Sequence, residues 1–365
     1  MKPEHELTDL EIRDRDEFTN RLFNDAVSAF SIFSVYIGSQ LGFYRELAEN
    51  GSLSPVELAE KTGTHERYVR EWLEHQATCC ILEVEEKVEV RRFRLPPGRA
   101  EVLADRNSLN YLAPLPQLIV GSVSPLDDVL KAYQNGGGVP FSAYGFNLRE
   151  GQASMNRPAF LNELGEVWLP AIQDVHTRLQ ADPPAYIADV GCGGGWSCIG
   201  MARSYPNVRV HGFDLDDASV ELAQHNIEAE GLSDRVQVFL KDANDAALHG
   251  QYDLVTAFEC VHDMSDPVGV LSTMRKLAGE NGTVIIMDER ALDAFQPCGE
   301  ALEQLLYGFS ILHCLPAGMA DQPSAATGTV MRPGILKSYA MQAGFSRMEI
   351  LPIENFFFRF YRLWP

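Results

Sequence analysis

The sequence is short of several things, and each shortage narrows what the chain can be. Its seven cysteines include no C-x-x-C pair and are scattered through strand-like and helix-like stretches, so reduced thiols in a cytoplasmic setting are expected rather than a disulfide scaffold. The adjacent Cys79 and Cys80 read as partly buried helix residues. No apolar run is long enough to span a bilayer, and Met1 to Glu17 is too dense in charge for a secretory leader. Basic residues are scarce: 30 Lys and Arg stand against 51 Asp and Glu, a net charge of −21, which disfavours nucleic acid and other polyanions as partners. No His/Asp/Glu set stands at metal-ligand spacing, so no metal is expected. Internal repeats and low-complexity tracts are missing too. What remains is ordinary globular usage, 45% hydrophobic and 22% charged, over 365 residues, which is enough for two domains with a core each.

Tyr186 to Val190 reads as a buried strand that carries Asp189 near its end and runs into the turn Gly191-Cys192-Gly193-Gly194-Gly195. Trp196 to Ser204 then suits a helix. Glycines let the backbone approach a ligand closely, and a helix start offers unpaired N–H groups. The nearest comparison is the pyrophosphate turn of nicotinamide enzymes, and the spacing argues against it. In G-x-G-x-x-G, counting from Gly191 puts Trp196 where the third glycine belongs, and counting from Gly193 puts Cys198 there. The Asp189 carboxylate would also repel a pyrophosphate.

A second strand, Val208 to Phe213, ends at Asp214-Leu215-Asp216, where a carboxylate can accept both hydroxyls of a ribose. The helix Ala218 to Glu230 stops at Gly231. A third strand, Val236 to Leu240, ends at Lys241-Asp242-Ala243, and a fourth, Tyr252 to Phe258, ends at Glu259-Cys260-Val261-His262-Asp263. Polar and acidic residues thus gather at the carboxyl ends of successive strands, the ligand-binding edge of an open α/β sheet.

These residues resemble a class I S-adenosylmethionine-dependent methyltransferase. Asp189-Val190-Gly191-Cys192-Gly193-Gly194-Gly195 matches that superfamily's D-x-G-x-G-x-G motif in full, within a resemblance covering roughly residues 155 to 290. The resemblance implies a Rossmann-like doubly wound sheet with S-adenosylmethionine as cofactor. Asp189, Gly191, Gly193 and Gly195 would hold its methionine part, Asp214 and Leu215 the ribose, and Asp242 with Ala243 the adenine edge. Glu259 completes the set. A neutral histidine can take the proton of a hydroxyl as it attacks the methyl carbon. In the related small-molecule O-methyltransferases a His-Asp pair supplies that base, and His262-Asp263 matches it. Asp288, in the strand Val284 to Glu289, stands where the acidic residue that orients the base is expected. The chain departs from that pattern twice: Met264 replaces a tryptophan, and Gly328 to Pro333 carries no carboxylate where a second acidic partner is expected. The alternative for His262 is a helix cap or a hydrogen-bonded pocket residue.

Residues 1–134 read as a mainly helical winged-helix domain, 135–180 as a linker with lid helices, and 181–365 as the sheet domain with a helical insertion near 297–315. Asp16 to Tyr44 carries a long helical pattern. Ser54 caps a helix with Pro55 in first position, Thr64 caps the next, and an apolar stripe runs through Val69, Trp72 and Leu73. Ile81 to Val84 and Val88 to Leu95 alternate like a two-stranded wing. Such a domain raises DNA binding as the rival function, but the stretch His65 to Glu74 has balanced charge, and Arg91, Arg92 and Arg94 form the only basic cluster.

Plant and animal small-molecule O-methyltransferases carry a winged-helix domain that makes dimer contacts and walls off the substrate. The chain is more similar still to a group of mostly bacterial winged-helix methyltransferases, through Thr64 to Leu73, Phe93 to Pro97, Gly145 to Pro158 and Val261 to Pro267. That resemblance implies a homodimer and a small-molecule acceptor. Phe141 to Asn156 reads as a loop able to close over the cofactor, with Phe141, Tyr144 and Phe146 as pocket lining or as core. Phe160 to Leu179 reads as a helix, and Pro297 to Leu315 as an amphipathic one bringing Tyr307, Phe309, His313 and Cys314 over the substrate or into ordinary packing. The expected chemistry is in-line methyl transfer to a small molecule, a hydroxyl first and nitrogen, carbon or sulfur after it. A cofactor-binding relative without turnover and a DNA-binding regulator remain as alternatives.

Overall fold

The structure, a computed structural model, describes residues 7–85, 90–242 and 246–365. The chain divides into two compact units, Met1–Pro116 and Gln117–Pro365.

The first unit opens with a 32-residue helix, Asp9–Gln40, started by a capping box between Thr8 and Glu11. Helices Phe43–Asn50, Pro55–Thr62 and Glu66–Thr78 follow, then a short hairpin of β1 (Glu83–Glu85) and β2 (Arg92–Arg94). Ser54 and Glu57 form a capping box with Pro55 in the first turn, as the sequence requires. Thr64 is not the cap of the next helix. His65 is, its Nδ1 accepting the Arg67 N–H at 3.2 Å, while the Thr64 hydroxyl pairs with that of Thr62 at 2.8 Å. Val69, Trp72 and Leu73 are buried with Phe43, Tyr44 and Leu58 in this unit's core. Gln76, buried on the same helix, is satisfied by the Tyr44 hydroxyl and by Ser34. The paired strands are shorter than the expected wing, whose Val88 lies outside the described residues. Cys79 ends its helix, and Cys80 is exposed at φ +58° rather than helical.

The second unit is built on a seven-stranded sheet of β3 (Tyr186–Val190), β4 (Arg209–Asp214), β5 (Val236–Leu240), β6 (Leu254–Phe258), β7 (Thr283–Glu289), β8 (Arg347–Ile350) and β9 (Phe358–Trp364), in the order β5-β4-β3-β6-β7-β9-β8. Strands β3 to β7 are parallel, and β9 runs antiparallel to both β7 and β8. β6 and β7 are buried along their whole length, which is why Leu254 to Phe258, interrupted only by Thr256, and Val284 to Met287 show no polar-facing alternation. Each fully buried Leu or Val there contributes about 1.5–3 kcal/mol. Chain order reverses between β3 and β6, so the crevice of this sheet opens at their carboxyl ends.

The segment expected to be a loop is helical: a 3-10 turn at Phe141–Tyr144 leads into the helix Gly145–Asn162. Phe146 is exposed, whereas Tyr144 is buried among Leu118, Val129, Val139 and Leu148. The single helix expected over Phe160 to Leu179 is broken into the end of that helix, a π-turn at Leu164–Trp168 and a helix Gln173–Gln180. Pro170 removes a backbone donor, so a straight helix does not run on to Gln173, and Gly165 lets the π-turn pack directly against Ser204. The insertion after β7 begins at Ala301, later than Pro297, and runs as Ala301–Phe309, a π-turn Ser310–Cys314 and Leu315–Gly318. Among the described residues no single helix is long and apolar enough to cross a membrane.

Candidate active site

The turn after β3 needs glycine for two reasons. Gly191, Gly193 and Gly195 stand at φ +72°, +49° and +77°, the left-handed region. A Cβ on Gly191 would lie 2.8 Å from Cys260 Sγ, so space excludes a side chain as firmly as conformation does. The Gly191 and Cys192 N–H groups donate to the Phe213 carbonyl, which ties the turn to the end of β4. Asp189 lies beneath, 1% exposed, accepting from the hydroxyls of Ser197 at 2.5 Å and Thr256 at 2.6 Å and from the Cys198 thiol. Burial pushes its carboxyl up. The structure therefore places Asp189 as the fastening of the turn to the following helix and to β6.

Asp214, at the end of β4, accepts the Gly193 N–H on one oxygen and the Asp216 N–H on the other, both at 2.9 Å, and burial pushes its carboxyl up as well. Leu215 beside it is exposed, as is Asp242, while Ala243 lies outside the described residues. Glu259, at the end of β6, is held at φ +53° and accepts from Gln152 at 3.3 Å and from Asn156. Burial, then the Glu289 charge, pushes it up to about 8. Both contacts come from the Gly145–Asn162 helix, and so does a third. Arg149 forks onto Asp216 through Nε at 2.5 Å and Nη2 at 2.9 Å. Burial opposes the charge on Asp216, but Arg149 and Ser219 outweigh it and hold the carboxyl below its usual range. One helix thus bonds to both sides of the crevice. Gln152 carried no signal in the sequence, where its segment reads as a loop.

His262 and Asp288 are brought together as the sequence reading expects. His262 Nδ1 donates to Asp288 Oδ1 at 2.8 Å, and both side chains are buried. Sequence reasoning missed Glu289, whose Oε2 also stands 3.0 Å from Nδ1. Burial works against an imidazolium, yet Glu289 and Asp288 together hold His262 well above its usual range. Burial pushes Asp263 up to about 6 and Glu289 up to about 7. His313, from the insertion, is edge-on to Tyr144 at 4.6 Å and is pushed down to about 3 by burial and by the His262 charge. The neighbouring Cys314 thiol lies against His262. The sequence shows no His/Asp/Glu set at ligand spacing, but the fold makes one from His262, Asp288 and Glu289.

The comparisons with known proteins agree with this architecture. Residues 184–323 match the family described as "Methyltransferase domain", and residues 29–105 match the "Rv2258c-like winged HTH domain". Ajmaline N-methyltransferase of Rauvolfia serpentina is 30% identical over 105 residues, 28% of this chain and 36% of that protein. A ubiquinone biosynthesis O-methyltransferase of Psychrobacter arcticus is 29% identical over 171 residues, 46% of this chain and 62% of that protein, so the chain spans only part of the curated relatives it matches. Human N-acetylserotonin methyltransferase, solved in complex with SAM, superposes with a TM-score of 0.71 at 16% identity, covering 100% of this chain and 99% of that one.

The fold is therefore that of a class I methyltransferase, with a crevice at the switch point between β3 and β6. More particularly, the chain carries a methyltransferase domain preceded by an Rv2258c-like winged helix-turn-helix domain.

Proposed function

We propose that the chain binds S-adenosylmethionine across the carboxyl ends of β3, β4 and β6 and transfers its methyl group in line to a hydroxyl of a small-molecule acceptor. The observation that carries the chemical half is the buried contact of His262 Nδ1 with Asp288, 2.8 Å long, beside the glycine turn. Donation from Nδ1 to a carboxylate fixes the tautomer in which Nε2 is the basic nitrogen. His262 Nε2 would take the proton of the acceptor hydroxyl, and S-adenosylmethionine, when bound, would supply the methyl group together with a neutral thioether as leaving group. Gly191, Gly193 and Gly195 let the backbone approach the methionine part, Asp214 with Leu215 takes the ribose, and Asp242 borders the adenine. Glu259 faces the methionine end, and Asp189 acts on the cofactor by holding the turn. The remaining barrier is lowered by positioning and by exclusion of water.

Against the rival reading as a DNA-binding regulator stand the ion pairs of the first unit. Arg67, Arg70, Arg91, Arg92 and Arg94 pair with Glu71, Glu66, Glu74, Glu57 and Glu83, which neutralises the cations that a phosphate backbone would need. The assembly proposed is a homodimer, built on the apolar stripe of the Asp9–Gln40 helix. Calorimetric titration with S-adenosylmethionine and S-adenosylhomocysteine, with NADH as control, tests the cofactor. Micromolar binding of the two sulfur nucleotides alone is expected, and heat from NADH alone would overturn the reading.

A further inference from the structure

We propose that His262, Asp288 and Glu289 form a site for a divalent transition-metal ion, and that an ion bound there switches methyl transfer off. The site stands on geometry alone. The switch rests on the reading of His262 as proton acceptor.

One donor atom from each residue lies within 4.8 Å of the other two. Nδ1 is 2.8 Å from Asp288 Oδ1 and 3.0 Å from Glu289 Oε2. Donors that share an ion at about 2.1 Å stand about 3 to 3.4 Å apart at octahedral to tetrahedral angles, so the two nitrogen–oxygen separations need to change by only a few tenths of an ångström. Asp288 and Glu289 are adjacent on β7, and His262 comes from the turn after β6, so the register of two paired parallel strands fixes the set.

Charge and hydrogen-bond accounting both favour an ion. With a neutral imidazole the set carries two buried negative charges. A proton on His262 balances one, and a divalent ion balances both. Nδ1 has a single hydrogen, which goes to Asp288. Asp288 Oδ2 and Glu289 Oε2 are buried without a hydrogen-bond partner, on side chains 1% and 8% exposed. Unsatisfied carboxylate oxygens at such depth are costly, and an ion beside Nδ1 would give Glu289 Oε2 the partner it lacks. One imidazole with two carboxylates suits Zn2+, Mn2+ or Fe2+ better than a soft monovalent ion. Asp263 adds negative potential nearby, and the Cys314 thiol lies against the ring.

The switch follows from the ring's two nitrogens. An ion takes the Nδ1 lone pair, so the neutral ring must carry its one hydrogen on Nε2: an imidazolium releases its Nδ1 proton to solvent and keeps the other, and the neutral Nδ1–H form shifts its proton to Nε2. No lone pair is left to take the acceptor's proton.

The test is a Zn2+ titration of the untagged full chain, stripped with chelator, beside Asp288→Asn and Glu289→Gln. The wild-type chain should bind one more Zn2+ than either variant. Co2+ in that place should give visible d–d bands without a thiolate charge-transfer band. Equal stoichiometry in all three proteins, or a thiolate band accounting for all bound Co2+, overturns the site. Cofactor titration of the same samples shows that the variants are folded and separates the readings. S-adenosylmethionine binding without the extra Zn2+ removes the metal site alone. The switch predicts loss of methyl transfer that EDTA restores, and transfer unaffected by a bound Zn2+ would overturn it.

Discussion

Asp214 already accepts one backbone N–H on each oxygen, and each oxygen keeps a further lone pair for a sugar hydroxyl. Two hydrogen bonds to a charged acceptor are worth about 1.5–3 kcal/mol each, so Asp214→Ala should weaken S-adenosylmethionine at least about tenfold. Unchanged affinity by calorimetry would remove the ribose assignment. His262→Ala should lower turnover by about 10²–10⁴-fold, the usual span of general base catalysis, with cofactor affinity kept. The pH profile supplies the sign. Asp288 and Glu289 hold His262 protonated to higher pH than a free imidazole, and the base works only unprotonated, so kcat should rise as pH passes upward through that raised value. Glu289→Gln removes one of the two charges and should move this limb to lower pH; a limb that stays in place would mean another group titrates. Asp288 was legible because an acid at that strand end has a recognisable role. Glu289 was not, since strict alternation sends neighbours to opposite faces, and only at the end of β7 can both reach one nitrogen.

Among the elements, the Gly145–Asn162 helix is where sequence and structure part. The glycine-rich break Asn135 to Pro140 just before it, and its mix of aromatic residues with Arg149 and Asn156, give its stretch the look of a loop. Gly151 is instead where the helix meets the Leu118 backbone too closely for a Cβ, and Pro158 is accommodated inside the helix. The strands were legible because β3, β6 and β7 are largely buried and mostly apolar, with their acidic residues at the carboxyl ends of β3 and β7, and the Trp196–Ser204 helix because the glycine turn marks its start. The pair of Arg149 with Asp216, 12% and 14% exposed, is the main polar tie of the misread helix. Arg149→Ala leaves Asp216 with its Ser219 cap but without its cation, and should cost about 2–3 kcal/mol in urea unfolding. Because the Asp216 pKa is depressed in the folded state, the pair stabilises above the unfolded carboxyl's value and fades as pH falls through the folded one. The difference between wild type and variant should therefore shrink in acid; a constant difference would point to lost packing instead.

Taken whole, the first unit shows a long helix with two unlike faces. Val35 and Gly38 are its buried residues, Gly38 lying under the Trp72 ring, while Phe18, Leu22, Phe30, Phe33 and Ile37 are exposed at helical spacing. A stripe of that size on one helix fits a second copy of the chain. Light scattering should give twice the chain mass of 40.6 kDa, and Leu22→Lys with Phe30→Lys should shift the mass toward the monomer. A wild-type monomer at working concentrations would dismiss the dimer.

The place of β9 in the sheet has a consequence for how the protein is made. β9 covers the edge of β7 from Val284 to Glu289, the stretch that carries Asp288 and Glu289, yet it lies roughly 70 residues later in the chain. At ribosomal speeds of roughly 5–20 residues per second, that edge waits several seconds for its neighbour. During biosynthesis the strand that carries Asp288 and Glu289 is thus open to mispairing on that side for this interval, a window in which a nascent-chain chaperone would find it.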